Sequence, residues 1–214
     1  TLSAFLPKQR VITDQLRRFA YGTDASLYRL VPEVVVQVDS EQEVQSLLQA
    51  ARKHGRPVTF RAAGTSLSGQ AITDGILAMI GDGFATCDIA AEGQIVRLGP
   101  SMVGGQVNAR LAPFGRKLAA DPASINACKI GGIAANNASG MCCGASENCY
   151  TTLAGLRVVL ADGTVLDTED AESVASFRQS HAALLDELKR LGESTRANET
   201  LARLIRHKYR IKNT

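Results

Sequence analysis

The clearest hydrophobic pattern in the chain lies between residues 34 and 80. Val34, Val35 and Val36 begin a β-branched run that ends at Val38 and reads as a buried strand. Ser40 and Glu43 follow at the spacing of a capping box, in which each side chain satisfies the other residue's exposed backbone N–H. The helix predicted beyond them carries Val44, Leu47, Leu48 and Ala51 on one face and stops at Gly55. Residues 57–61 and 76–80 read as two further strands. Strand, helix, strand, loop and strand within about fifty residues is the signature of a small parallel sheet.

Outside that stretch the pattern differs. Residues 13–20 predict a short helix with Leu16 and Phe19 on one face. Residues 86–90 and 94–98 predict a hairpin through Ala91-Glu92-Gly93. A helix is predicted over 103–114, stopping before Gly115. Residues 153–160 and 164–167 flank Ala161-Asp162-Gly163, a second hairpin with Asp-Gly in its turn. From Asp170 onward the reading is helical, with Leu184, Leu185, Leu188 and Leu191 as one stripe. The change near Ala90 divides the chain into a helical lead-in (1–32), a first subdomain (33–90) and a second (91–214). The class is α+β.

Composition narrows the function classes. A length of 214 residues allows one large domain or two small ones. With 45% hydrophobic and 21% charged residues, disorder is excluded as the main state. No apolar run approaches the ~20 residues of a membrane-spanning helix, and no leader pattern is visible. A start at Thr1, without Met, suggests a processed or excised segment. The chain has no Trp, 5% aromatic residues and a net charge of +3, a poor basis for a base-stacking, nucleic-acid surface. Five cysteines, at 87, 128, 142, 143 and 149, lack paired spacing and read as reduced thiols in a cytoplasmic protein.

Two stretches carry candidate chemistry. Residues 62–71 read AAGTSLSGQA, directly after a predicted strand. Small residues let a backbone curl until several N–H groups point at one spot, and such a nest holds an anion. The hydroxyls of Thr65, Ser66 and Ser68 add donors. No Gly-Lys-Ser/Thr is present, so this is not a Walker loop, and Gly64 and Gly69 do not form the dinucleotide fingerprint. A tight glycine turn with nothing bound is the alternative reading. Residues 131–146 read GGIAANNASGMCCGAS, sixteen uncharged residues. Gly131-Gly132 open a predicted short helix whose N-terminus would face a phosphate, and Asn136 and Asn137 offer amides. An uncharged loop of that length is uncommon unless it wraps a ligand. Two such loops, one in each subdomain, suggest one extended cofactor between them.

Residues 57–69 (PVTFRAAGTSLSG), Asp121-Pro122-Ala123-Ser124 and Ile130-Gly131-Gly132 carry a resemblance. Together they resemble the PCMH-type FAD-binding domain of the vanillyl-alcohol-oxidase and p-cresol-methylhydroxylase superfamily. The nearest branch is that of D-lactate and D-2-hydroxyglutarate dehydrogenases, which includes the glycolate oxidase FAD subunit. The NNASGMCCG segment, residues 156–163 and the closing KYRIKNT extend the match, which begins near Phe19.

The resemblance implies a two-subdomain fold, with a small parallel βαβ part and a larger mixed or antiparallel part with helices. It implies an FAD pyrophosphate held by backbone N–H groups of Ala62, Ala63, Gly64, Thr65, Ser66 and Leu67. Ser68 and Gly69 would approach the flavin. Pro122, Ala123 and Ser124, with Gly131, Gly132, Ala135, Asn136, Asn137, Ser139 and Gly140, would line the opposite wall. Val158 would lie near the adenine. Members that link FAD covalently often carry a His in the first loop; Thr65 stands there, which implies noncovalent FAD. The implied reaction is oxidation of a small D-2-hydroxy acid, with electrons passing to a quinone, cytochrome or iron–sulfur carrier. Family members continue into a substrate domain, so the chain reads as an excised N-terminal FAD module, cytoplasmic or peripheral at the inner face of a membrane when whole. An FAD-holding module without activity of its own, or another FAD-linked oxidase, is the alternative.

Several residues carry two readings. Arg61 is either a diphosphate partner or a structural anchor. Adjacent Cys142 and Cys143 cannot easily chelate one metal, and small packed thiols fit better. His54 fits a helix C-terminus, and His181 and His207 read as solvated. Five Lys and Arg between residues 203 and 212 read as a solvated helix face, with a nucleic-acid or membrane surface as the rival.

Overall fold

In the computed structural model of the chain, residues 2–140 and 146–209 are described. The first core forms on a four-stranded sheet of β1 (Val11–Ile12), β2 (Val34–Val38), β3 (Val58–Arg61) and β4 (Ile76–Ile80), in the order β1-β2-β4-β3. β2, β4 and β3 run parallel, with Val34 and Val58 both opposite Ile76, and β1 joins the edge antiparallel. β4 (ILAMI) therefore lies between two neighbours, and its continuous apolar run suits a strand covered on both faces. Leu77 and Ala78 are fully buried.

The helix α2 (Glu41–Lys53) lays Val44, Leu47, Leu48 and Ala51 onto Val36, Val38, Ile76 and Ala78. Its N-cap forms as expected on one side, where Ser40 Oγ accepts the Glu43 N–H at 3.2 Å. The reciprocal half does not form. The Glu43 carboxylate instead accepts the Asp39 N–H at 2.7 Å and pairs with Arg10, whose two nitrogens reach it at 2.6 and 2.9 Å. A bidentate guanidinium is the stronger partner, and it draws the carboxylate away from the Ser40 N–H.

A second cluster forms where β5 (Cys87–Ala90) and β6 (Ile95–Leu98) pair antiparallel and cover α3 (Gly104–Leu111). Cys87, Ile89, Val96 and Leu98 pack on Met102, Val107 and Leu111. Residues 90 and 91, where the sequence suggests a change of subdomain, lie where β5 passes into the turn of this hairpin. A third cluster of Ala120, Cys128 and Ile133 gathers the loop before α4 (Ile130–Ala135), with Cys149 of α5 (Cys149–Thr152) against it. The expected antiparallel part is thus two separate hairpins, the second being β7 (Arg157–Val159) with β8 (Val165–Asp167). This hairpin hooks onto α2: Gln45 Nε2 donates to the Gly163 carbonyl at 2.8 Å, and Arg157 pairs with Glu41 at 2.8 and 2.9 Å.

The remainder is helical: α6 (Ala171–Ser180), α7 (Ala182–Ala197) and α8 (Glu199–Lys208). The leucine stripe of α7 forms, yet Leu184, Leu188 and Leu191 stay exposed. His181, expected to be solvated, is not. It stacks on Phe177 with ring centroids 4.3 Å apart and places Nε2 3.0 Å from Asp162 Oδ2. No helix among the described residues is long and apolar enough to cross a membrane.

Candidate functional site

The site begins where β3 ends. Strands of an open parallel sheet present ligand sites at their carboxyl ends, and residues 62–69 leave that end without regular structure. Gly64 and Gly69 have φ of +70° and +71°, a region that favours glycine because it has no Cβ. Among the described residues, none of the N–H groups of residues 62–67 donates to a protein acceptor. Residues 62, 64, 65 and 66 are half-buried while Ala63 and Leu67 are exposed, and a run of N–H groups without a protein acceptor is a candidate cradle for an anion.

The loop holds its shape through contacts on its other side. Arg61 is buried, 6% exposed, and its guanidinium donates to the Ala71 carbonyl through Nε at 2.8 Å and to the Tyr21 carbonyl at 2.9 Å. Of its two readings, the geometry carries the anchor. Burial pulls the Arg61 pKa down, partly opposed by the neighbouring Asp24 carboxylate. Asp24 accepts the Ser26 N–H at 2.8 Å and the Ala71 N–H at 3.4 Å. The Ala25 N–H reaches the Gly64 carbonyl at 2.9 Å. Tyr28 stands over Gly69, where a Cβ would lie 2.9 Å from its ring.

The sequence reading missed residues 21–28 as part of this site. Thr23-Asp24-Ala25-Ser26 carries the signal that could have found them, because short polar side chains bonding a backbone N–H two residues on mark a turn. The helix α1 (Gln15–Tyr21) leads into that turn.

The opposite wall is built from the third cluster. Pro122 and Ser124 fold their segment by accepting N–H groups of Ile125, Ala127 and Cys128 at 2.7 to 2.8 Å. A Cβ at Gly140 would collide with the Asp121 carbonyl, so residues 121 and 140 lie in direct contact. A Cβ at Gly132 would meet only Ala62, at 3.8 Å. The two small-residue segments expected to share a ligand therefore adjoin at residues 62 and 132.

One expectation for this wall fails. The N-terminus of α4 does not present open donors: Ile130 N–H bonds the Met102 carbonyl, Gly131 N–H the Pro100 carbonyl and Gly132 N–H the Lys129 carbonyl, at 2.9 to 3.0 Å. Packing of α4 onto the turn after β6 consumes the donors a phosphate would need. Asn137 is also engaged locally. It adopts φ +45°, and its Oδ1 accepts the Tyr150 N–H at 2.9 Å. Asn136 and Ala135 are exposed, Ser139 is half-buried, and Val158 sits in β7 opposite Leu166.

Cys128 is buried in the third cluster, and burial pushes the Cys149 pKa up. Cys142 and Cys143 lie outside the described residues. No cluster of His, Cys, Asp and Glu suited to a metal occurs among the described residues.

Residues 32–169 match the family described as FAD binding domain. The chain is 30% identical over 161 residues to D-2-hydroxyglutarate dehydrogenase of Escherichia coli, an alignment covering 73% of this chain and 16% of that protein. It is 32% identical over 143 residues to the glycolate oxidase subunit GlcD of the same organism, covering 66% of this chain and 29% of the relative. The chain thus spans less than a third of either relative. Among solved structures, an alkyldihydroxyacetonephosphate synthase superposes with a TM-score of 0.64 at 20% identity, over 81% of this chain and 34% of the other. The 6-hydroxy-D-nicotine oxidase of Arthrobacter nicotinovorans gives 0.61 at 20% identity, over 73% and 35%. With a matched family spanning most of the chain, this chain belongs to the FAD-binding domain family of the PCMH-type flavoproteins, and FAD is its cofactor.

Proposed function

We propose that the chain is the FAD-binding module of a flavin dehydrogenase that oxidises a D-2-hydroxy acid. The observation that carries the binding part is the run of six unpartnered N–H groups at residues 62–67, backed by the buried Arg61. These amides would hold the FAD diphosphate, and Ser68 and Gly69 would border the flavin. The segments 121–124 and 131–140 would line the facing wall, with Gly132 leaving the gap beside Ala62. Val158 would lie toward the adenine. Bound FAD supplies a hydride-accepting flavin, and the protein supplies position and electrostatics.

The substrate class rests on the names of relatives, D-2-hydroxyglutarate dehydrogenase and GlcD among them, and on the probable mitochondrial D-lactate dehydrogenase of Danio rerio, 30% identical over 155 residues. Residues that recognise the acid, and the quinone, cytochrome or iron–sulfur acceptor, would belong to a longer protein that works in the cytoplasm or at the inner face of a membrane. A second reading is a module that holds FAD and turns over nothing alone. Residue 65 is Thr, and no imidazole lies within 62–69, so the flavin would be held without a covalent bond.

The test is direct. Purified protein incubated with FAD and desalted should keep a flavin absorption band, and acid precipitation should release it to the supernatant. Flavin in the pellet would refute noncovalent binding. Dye reduction with D-2-hydroxyglutarate, D-lactate or glycolate supports the dehydrogenase; retained flavin with no reduction by any of them favours the holding module.

A further inference from the structure

The segment of residues 21–28 lies ahead of the residues that match the FAD-binding family, which begin at 32. It nevertheless contacts the cradle loop at every turn. Ala25 N–H bonds the Gly64 carbonyl at 2.9 Å, the Tyr21 carbonyl accepts from Arg61 at 2.9 Å, Asp24 accepts from Ala71, and Tyr28 packs on Gly69.

The Gly64 contact has a geometric consequence. In a trans peptide the C=O and the following N–H point in opposite directions. Pinning the Gly64 carbonyl toward Ala25 therefore turns the Thr65 N–H away from the segment, toward the open side of the loop. The positive φ of Gly64 makes that peptide orientation accessible. Asp24 then fixes the segment that does the pinning. One carboxylate oxygen takes the Ser26 N–H at 2.8 Å, which shapes the turn holding Ala25. The other takes the Ala71 N–H at 3.4 Å, at the far end of the loop.

We propose that Asp24 is a positioning residue for the FAD diphosphate: through the turn at residues 24–26 it aims the Thr65 amide and closes the loop between Gly64 and Ala71. The proposal rests on the reading that residues 62–67 hold the diphosphate. Its charge has a second effect, since the carboxylate lies beside the buried Arg61 guanidinium and offsets it. Burial pushes the Asp24 pKa up, but hydrogen bonds from Ser26 and Ala71 and the Arg61 charge outweigh it and hold the carboxyl below its ordinary value. Asp24 is thus ionised at neutral pH and accepts through both oxygens.

The experiment uses ADP, which carries the diphosphate without the flavin, alongside FAD. Titration calorimetry is run on the wild type, Gly64→Glu, Asp24→Ala and Asp24→Asn, with the melting temperature of each ligand-free protein measured in parallel. Loss of two charge-assisted bonds predicts that Asp24→Ala weakens both ligands about tenfold or more. Asp24→Asn keeps one carbonyl acceptor for Ser26 and should recover part of that loss. A structural role alone would lower the ligand-free melting temperature and leave ligand affinity within about twofold once binding is measured well below melting. That outcome, or equal affinity for ADP in Asp24→Ala and the wild type, overturns the proposal while leaving the cradle intact. If wild type and Gly64→Glu bind ADP and FAD alike, the cradle reading itself fails and takes the proposal with it. Should Asp24→Ala not fold, the comparison of Asp24→Asn with the wild type decides: a weakened ADP affinity at unchanged melting temperature supports the proposal, and an unchanged affinity refutes it.

Discussion

At Gly64 one backbone angle ties sequence to chemistry. Its φ of +70° and the 3.3 Å between a built Cβ and Arg61 Cδ leave little room for a side chain. Gly64→Glu would add both strain and a negative charge beside a diphosphate, so FAD retention after desalting should fall to background. Unchanged affinity would show that the loop does not hold the cofactor. Arg61 teaches the complementary lesson. Its place beside a small-residue loop was legible, but its direction was not, because nothing in the sequence shows that Tyr21 and Ala71 turn their carbonyls toward it. His181 was misread for a similar reason: Phe177 one turn earlier and Asp162 in a distant hairpin convert a polar-looking helix position into a stacked, hydrogen-bonded one. The Thr164 N–H and then His181 hold the Asp162 carboxyl at about 2, below its ordinary 3.8. A lowered folded pKa contributes stability that is present above the unfolded value and lost as pH falls through the folded one. Urea unfolding at pH 6 and across the acid range should therefore show the wild type losing this contribution between about pH 4 and 2. Asp162→Asn should be less stable at pH 6 and flatter over that window. Parallel curves for the two proteins would show that the Asp162 carboxylate contributes nothing.

Elements with strong periodicity were legible from the sequence. β2 and β4 came out at their predicted bounds because a β-branched run broken only by Gln37 and the uninterrupted apolar ILAMI have few other uses in a chain of this composition. β1 was not, because two residues carry no period and Val11–Ile12 becomes a strand only when β2 supplies the partner. The capping box at α2 shows the same limit. Local spacing specified the Ser40 half, and the distant Arg10 redirected Glu43. Arg10 and Glu43 are each 18% exposed at the side chain, well shielded for an ion pair. Glu43→Gln removes the bidentate pair and leaves a shielded guanidinium with weaker acceptors. A loss of about 1–3 kcal/mol in denaturant unfolding is expected. Lys189 and Glu193 provide the contrast on an exposed face of α7, where substituting either should change stability by less than about 0.5 kcal/mol. A Glu43→Gln variant as stable as the wild type would mean that the sheet edge holds β1 without this pair.

The candidate site exists only at the scale of the whole molecule, because one wall follows β3 of the parallel sheet, the other adjoins the third cluster, and the two meet where Gly132 faces Ala62. The sequence showed two loops of small residues and suggested that they share a ligand. It did not show which amides remain available, since that depends on Met102 and Pro100 taking the first donors of α4. Adjacent glycines now carry opposite expectations. A Cβ at Gly131 would lie 2.9 Å from Pro100 Cβ and 3.2 Å from its carbonyl oxygen, so Gly131→Ala should force α4 off the turn after β6 and lower the ligand-free melting temperature. A Cβ at Gly132 meets Ala62 at an ordinary 3.8 Å, so Gly132→Ala should leave the fold intact or stabilise it by about 0.5–1 kcal/mol through helix propensity. A larger side chain there projects into the seam between the walls. With FAD at about 100 times its Kd, the wild type should gain about 2.7 kcal/mol of stability and melt higher. Gly132→Leu should melt like the wild type without ligand and lose most of the FAD-induced rise. Because the ligand-free temperature reports folding and the rise reports binding, the two effects separate in one thermal scan. A full rise in Gly132→Leu would place the cofactor away from the seam, and the 62–132 contact would then be packing alone.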